Sequence, residues 1–127
     1  MAEVPGDLHY NADHDWVLVD DGVGICGITE YAQGELGDIV FLELPGVGDI
    51  VTQGESYGTV EAVKTVSELI SPVSGEIVEV NDILTQDASL VNVDPYDSGW
   101  MIRVKLSDLS EIDELMDASA YAGHIED

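Results

Sequence analysis

Gly58-Thr-Val-Glu61-Ala-Val-Lys64-Thr-Val-Ser-Glu68-Leu-Ile-Ser71-Pro72-Val-Ser-Gly75-Glu-Ile-Val-Glu-Val-Asn81 is the stretch around which the rest of the chain is organised. Two runs of strand formers meet at one lysine. Val60 and Val63 precede it, and Val66, Leu69 and Ile70 follow it. That pattern predicts a β-hairpin with Lys64 at or near its tip. No Asn-Gly or Asp-Gly pair marks the turn, so the sequence leaves its type open. Lys64 also stands out chemically. The chain has two lysines and one arginine against 27 acids, yet no acid directly adjoins Lys64. Glu61 lies three positions before it and Glu68 four after it. A lysine on an exposed tip suits covalent modification. The plainer reading is a solvated turn lysine.

These residues resemble the attachment motif of lipoyl and biotinyl carrier domains, in which a prosthetic group is joined to a hairpin-tip lysine. Within that superfamily the chain resembles the H proteins of the glycine cleavage system. Their Glu-x-x-Lys, followed by Ser-Pro-x-x-Gly-x-(Ile/Val) and a later Asn, is matched by Glu61, Lys64, Ser71, Pro72, Gly75, Ile77 and Asn81. Biotinyl domains usually carry Met on both sides of the lysine. Val63 and Thr65 stand there instead, which favours lipoate over biotin. Ala62 departs from the Ser that many H proteins have between Glu and Val.

With 127 residues the chain is expected to form one domain, 1–127. An apolar fraction of 45% sets it apart from disordered acidic chains. The formal net charge is −24, and the acids are dispersed, in runs no longer than a pair such as Asp20-Asp21. Dispersed acids read as a solvated surface that would repel phosphates, so nucleic acid and anionic membranes are poor partners. So acidic a chain, nearly stripped of lysine, suggests a cytoplasm of high salt. Cys26 is alone, in the apolar run Val23-Gly-Ile-Cys26-Gly-Ile28, and reads as a small buried hydrophobe. The first residues have neither a basic region nor an apolar signal core, and no stretch is long enough to span a bilayer. A cytoplasmic location is expected.

Taken in order, the first 13 residues read as a lead-in strand and turn. Residues 15–20 and 23–28 form a second predicted hairpin, joined by Asp21-Gly22, with Gly24 and Gly27 marking close backbone approach. Thr29 offers an N-cap to a short helix that Gly37 ends. Ile39-Val-Phe-Leu-Glu-Leu44 is a strand whose near-continuous apolar character predicts burial on both faces. Residues 90–100 read as a loop, and 101–106 as a strand with Arg103 and Lys105 on one face as candidate docking charges. A terminal helix is expected from Ser110 as cap, with Asp113 at its third position, Ile112, Leu115 and Met116 docked on the sheet, and Gly123 at its end. Short strands with frequent turn residues make the chain mainly β.

Three further segments match H proteins: His14-Asp15-Trp16, Gly27-Ile-Thr-Glu-Tyr-Ala-Gln33 with Leu36-Gly-Asp38, and Leu90-x-Asn92 with Pro95-Tyr96-x-x-Gly99-Trp100. Ordinary lipoyl and biotinyl domains lack the second. The resemblance spans about residues 10–116. It implies a flattened barrel or sandwich of the carrier type, with a short internal helix and a C-terminal helix. It also implies one lipoate amide-linked to Lys64. The implied partners are a pyridoxal-phosphate glycine decarboxylase, a folate-dependent aminomethyltransferase, a flavin-dependent dihydrolipoyl dehydrogenase and a lipoate-attaching enzyme. The chain itself is expected to catalyse nothing.

Glu61, Glu68, Gly48 and Gly75 match positions that the attaching enzyme reads, though the glycines equally fit turns that need positive φ. Asp15 and Glu68, with Asp13, match acids of a cleft into which the loaded arm folds, where an ammonium would favour carboxylates. No Ser-His-acid set, metal-ligand spacing or phosphate loop is present, and His9 and His14 among acids read as solvated side chains. An unmodified interaction module of the same fold is the alternative from a different class.

Overall fold

The computed structural model describes residues 4–125. The strands are β1 (His9–Tyr10), β2 (Asp15–Asp20), β3 (Val23–Ile28), β4 (Ile39–Glu43), β5 (Ile50–Val51), β6 (Ser56–Ala62), β7 (Val66–Ile70), β8 (Gly75–Val80) and β9 (Ile102–Leu106). They form two antiparallel sheets, one ordered β1-β2-β3-β9-β8-β5 and the other β4-β6-β7. The sheets face each other as a sandwich and do not close into a barrel. Val17, Cys26 and Ile28 from the larger sheet pack with Leu42, Val60 and Leu69 from the smaller one, and this cluster is the main core.

Local chemistry accounts for much of this. Asp21 and Gly22 take φ of 53° and 80°, the paired left-handed conformation of a two-residue type I′ turn. Trp16 lies flat across Gly27, where an added Cβ would sit 2.9 Å from the indole. Its Nε1 donates to the carbonyls of Ile28 (2.9 Å) and Pro95 (3.1 Å), so the buried ring leaves no donor unmet. Helix α1 (Glu30–Leu36) starts at Thr29, whose Oγ1 accepts from Ala32 N at 3.2 Å. It stops at Gly37, with φ of 82° and its N–H on the Gln33 carbonyl.

Three expectations need correction. First, β4 is not buried on both faces. Val40 and Phe41 are 53% and 52% exposed, and within β4 only Ile39 and Leu42 are buried in the core between the sheets. Second, the tail is not one helix from Ser110. A 3₁₀ turn, Leu109–Glu114, is capped by Asp108, whose side chain accepts from Ser110 N. Helix α3 (Ala118–Ile125) follows, with Asp117 Oδ1 accepting from Ala120 N at 2.8 Å. Between them Met116 exchanges two backbone hydrogen bonds of 2.8 Å with Tyr10, which keeps the linker extended. Gly123 therefore lies inside α3, although Ile112, Leu115 and Met116 do pack on the cores as expected. Third, the segment 90–100 contains a short helix, α2 (Leu90–Val93).

Arg103 is no free docking charge. Its guanidinium pairs with Glu79 at 3.0 Å and lies 4.6 Å from the centre of the Trp100 ring. It is the one ion pair among the described residues. The acids thus repel one another largely uncompensated. Salt shortens the Debye length from about 10 Å at about 0.1 M to about 3 Å at about 1 M. Denaturant midpoints are therefore expected to fall markedly when potassium chloride is lowered from molar to tens of millimolar. Equal midpoints would show that the surface charge carries no such cost.

Candidate functional site

Strands β6 and β7 pair with Glu61 opposite Val66, and Ala62 N donates to Thr65 O at 2.7 Å. Val63 and Lys64 are left as a two-residue tip. Neither has positive φ, so the turn is not of the primed type. Val63 N donates to Asp38 O at 3.0 Å and ties the tip to the entry of β4. The Lys64 side chain is exposed, and its stem runs over Gly37. A Cβ placed on Gly37 would come within 3.3 Å of Lys64 Cε. The helix-ending glycine therefore also leaves room for the lysine stem where α1 stops.

Beside that path lies a cleft of about 240 Å³ between α1, β7 and the loop before β2. Ile28, Ala32, Leu36, Val60 and Leu69 give it apolar walls. Asp13, Asp15, Glu35 and Glu68 bring four carboxyl groups to it, and His14 and Tyr31 complete the rim. Tyr31 and Glu35, like Ala32 and Leu36, are four apart on α1, so one helix face supplies a third of the lining.

Asp15 differs from the other acids. It is only 2% exposed, and its Oδ2 has no hydrogen-bond partner. Burial, above all, pushes its carboxyl well above the usual carboxylate range, and the charge of Asp13 adds to this. The Asn11 side chain and the Ile70 backbone favour the ionised form and oppose the shift. Asn11 shapes the loop: its Oδ1 accepts from both Asp13 N (3.0 Å) and Asp15 N (2.9 Å). His14 between them takes φ of 71°.

His14 is not a solvated residue. Its Nδ1 is 2.9 Å from Tyr121 Oη on α3, and that hydroxyl is 2.7 Å from the Thr29 cap oxygen. Burial and the neighbouring His124 lower its pKa, against Asp13 and Glu35. Burial holds the Tyr121 phenol up to about 12, so it stays a hydroxyl. Tyr10 stacks on Tyr121 at 4.5 Å. The C-terminal helix thereby braces the His14 rim of the cleft and the start of α1 together. His9 stands apart on β1, and among the described residues no group of three potential ligands gathers to hold a metal.

Asn92 of the Leu90-x-Asn92 motif holds the far end of α1, and Tyr96 of Pro95-Tyr96 adds a bond at its start. Asn92 Nδ2 donates to Gly37 O and to Gln33 Oε1, both at 2.8 Å, and its Oδ1 accepts from Ile39 N at 2.9 Å. Tyr96 Oη accepts from Glu30 N at 3.0 Å. Asn92→Ala leaves the Gly37 carbonyl and the Ile39 amide without these partners, at an expected cost of about 2–3 kcal/mol. Denaturant unfolding in molar potassium chloride measures it, and a loss below about 0.5 kcal/mol would mean that water replaces the side chain without penalty.

Of the expected site residues, Asp13, Asp15 and Glu68 line one cleft, and Lys64 stands at the hairpin tip with its stem over Gly37. Glu61 is exposed near the same tip. Gly48, with φ of 96°, lies in an exposed turn, and Gly75 is buried on β8. Sequence reasoning missed Glu35, Asn11 and Tyr121. The helical spacing from Tyr31 pointed to Glu35, but nothing local joined Tyr121 to His14, 107 positions away.

A stacked pair of antiparallel sheets, one lysine on a hairpin tip and a half-apolar, half-acidic cleft beside it define a domain of the lipoyl- and biotinyl-carrier class. The family model for the glycine cleavage H-protein matches residues 8–127. The chain is 51% identical over 127 residues to the glycine cleavage system H protein of Carboxydothermus hydrogenoformans, covering 100% of this chain and 98% of that one. It is 51% identical over 121 residues to that of Symbiobacterium thermophilum, covering 95% and 94%. The crystal structure of a glycine cleavage system H protein from Mycobacterium marinum matches with a TM-score of 0.90 at 45% identity, covering 97% of this chain and 99% of that one. The chain belongs to the glycine cleavage H-protein family, and its role is that of a lipoyl carrier in the glycine cleavage system.

Proposed function

We propose that Lys64 is the residue amide-linked to lipoate and that the chain, as one carrier domain, works without catalytic groups of its own. The observation that carries this is the exposed Lys64 at the hairpin tip, its stem lying over Gly37, next in the chain to Leu36 of the cleft wall. The cleft fits such an arm. Its apolar walls suit an aliphatic chain, and the unpartnered Asp15 Oδ2 suits a cationic end. When bound, the group supplies a carrier for a one-carbon amine and for two electrons. The chain's residues orient and shelter it. Lys64 gives reach, since amide formation removes its charge, and tethering gives a local concentration on the order of millimolar. Asp13, Asp15 and Glu68 receive the cationic end.

Glu61 and Glu68 on the hairpin, with the shape set by Gly48 and Gly75, are read by the lipoate-attaching enzyme. The partners are the pyridoxal-phosphate glycine decarboxylase, which loads the arm, the tetrahydrofolate-dependent aminomethyltransferase, which unloads it, and dihydrolipoyl dehydrogenase, which reoxidises it. The acidic surface suits a cytoplasm of high salt. No helix among the described residues is long and apolar enough to cross a membrane. Intact mass with peptide mapping, on protein from its native host, is expected to show one lipoyl group on Lys64. A bare Lys64 in cells that make lipoate would favour an unmodified interaction module, and a biotin mass would overturn the choice of group.

A further inference from the structure

Asp15 is anomalous for a residue that is to receive a cation. It is 2% exposed, its Oδ2 meets no donor, and no lysine or arginine lines the cleft it faces. The ionisable groups around it all disfavour a second negative charge. Asp13 belongs to its own loop, Glu68 to β7 and Glu35 to α1. Behind it, Cys26 on β3, Tyr57 on β6 and Tyr121 on α3 all feel its charge, and each is held protonated chiefly by burial. His14, the one basic group on the rim, is itself biased towards its neutral form and engages Tyr121 through Nδ1. An ionised Asp15 in the empty cleft would be a buried charge without a counter-charge, which proteins avoid by protonation.

We propose that Asp15 holds a proton while the cleft is empty and yields it when a primary alkylammonium docks, so that docking creates a buried ion pair and sends one proton to solvent. This rests on the reading of the cleft as the seat of the arm's cationic end. The proton comes from the Asp15 carboxyl, no other bond changes, and the cation keeps its three N–H donors, one of which meets Oδ2. The charged form of Asp15 then exists only under a cation that stabilises it. The cleft therefore discriminates by charge. A neutral arm of the same shape leaves Asp15 protonated and gains no ion pair. The same residue receives the loaded arm and lets the unloaded one go.

The test is a carboxyl ¹³C titration of the full-length, unmodified chain at constant molar ionic strength, with potassium chloride or propylammonium chloride as the salt. The expected result is an Asp15 midpoint above those of the exposed aspartates in potassium chloride, which moves down in propylammonium. An Asp15 midpoint among the exposed aspartates in potassium chloride overturns the proposal. The cleft reading survives that result if propylammonium still shifts the Asp13 and Glu68 signals. A high midpoint with no response of any cleft carboxyl overturns the cation-site reading itself, and the release step with it. Stability gives an independent readout. The unfolded chain loses the Asp15 proton near pH 4 while the folded chain keeps it, so folding binds a proton and stability falls as pH rises above about 4. Asp15→Asn removes that dependence. Its melting temperature relative to the parent should rise between pH 4 and pH 8, and a difference that stays constant over that range would contradict a protonated Asp15.

Discussion

Lys64→Arg is expected to give a folded chain that takes up no lipoyl group and supports no glycine cleavage. The tip of the hairpin is exposed, and its turn is held by backbone bonds from Ala62 and Val63, neither of which needs the lysine side chain. The stem of an arginine is long enough to follow the same path over Gly37. The stability change should therefore stay within the ±0.5 kcal/mol or so typical of surface substitutions. Chemistry is lost instead. A lysine can give up its proton to become a nucleophilic amine, whereas a guanidinium stays charged and cannot be acylated in the same way. Incubation with lipoate, ATP and the attaching enzyme, followed by intact mass, should show full modification of the parent and background for the variant. Lys105 is the internal control. It is exposed on β9 but lies on a regular strand beside Glu76 rather than on a tip. Lipoylation of Lys64→Arg at Lys105 would mean that the hairpin tip is not what the attaching enzyme reads.

What could be read from the sequence was what depends on near neighbours. Asp21-Gly22 dictated its turn, Thr29 and Gly37 the ends of α1, and the valines around Lys64 the hairpin, because each needs only a few adjacent residues. The cleft needed more. The family motif pointed to Asp13, Asp15 and Glu68, but among 27 acids nothing in the sequence marked Asp15 as the buried one. Its environment is built from α1, β7 and the Asn11 loop, which are far apart in the chain. The tail misled for a physical reason. Ser110 and Asp108 are both good caps two residues apart, and the competing cap at Asp117 is visible as a second start only once Met116 is seen pairing with Tyr10. The exposure of Val40 and Phe41 was equally hidden, since an apolar run does not say whether a second layer covers it.

Gly75→Ala is expected to be the most damaging single-atom-scale change in the chain, costing more than about 4 kcal/mol, which approaches the whole stability of a small domain. Gly75 begins β8, which lies between β9 and β5, opposite Leu106 on one side and Val51 on the other. A Cβ there would fall 2.0 Å from the Lys105 carbonyl oxygen and 2.8 Å from Val104 Cγ1. The first contact is with backbone of the neighbouring strand, so no side-chain rotation relieves it. The sheet must part at β8–β9, and with it the seat of the hairpin that descends from Lys64 into Pro72. Gly48 separates the two duties assigned to these glycines. It has φ of 96° but nothing within 4 Å of an added Cβ, so Gly48→Ala carries only a conformational cost of about 1–2 kcal/mol. Soluble yield and denaturant midpoints in molar potassium chloride, together with lipoyl uptake, give the comparison. Gly75→Ala should lose uptake only because it loses the fold, and Gly48→Ala should keep most of both. A Gly75→Ala protein with normal stability and no uptake would reverse the order of causes and make this glycine a feature that the attaching enzyme recognises directly.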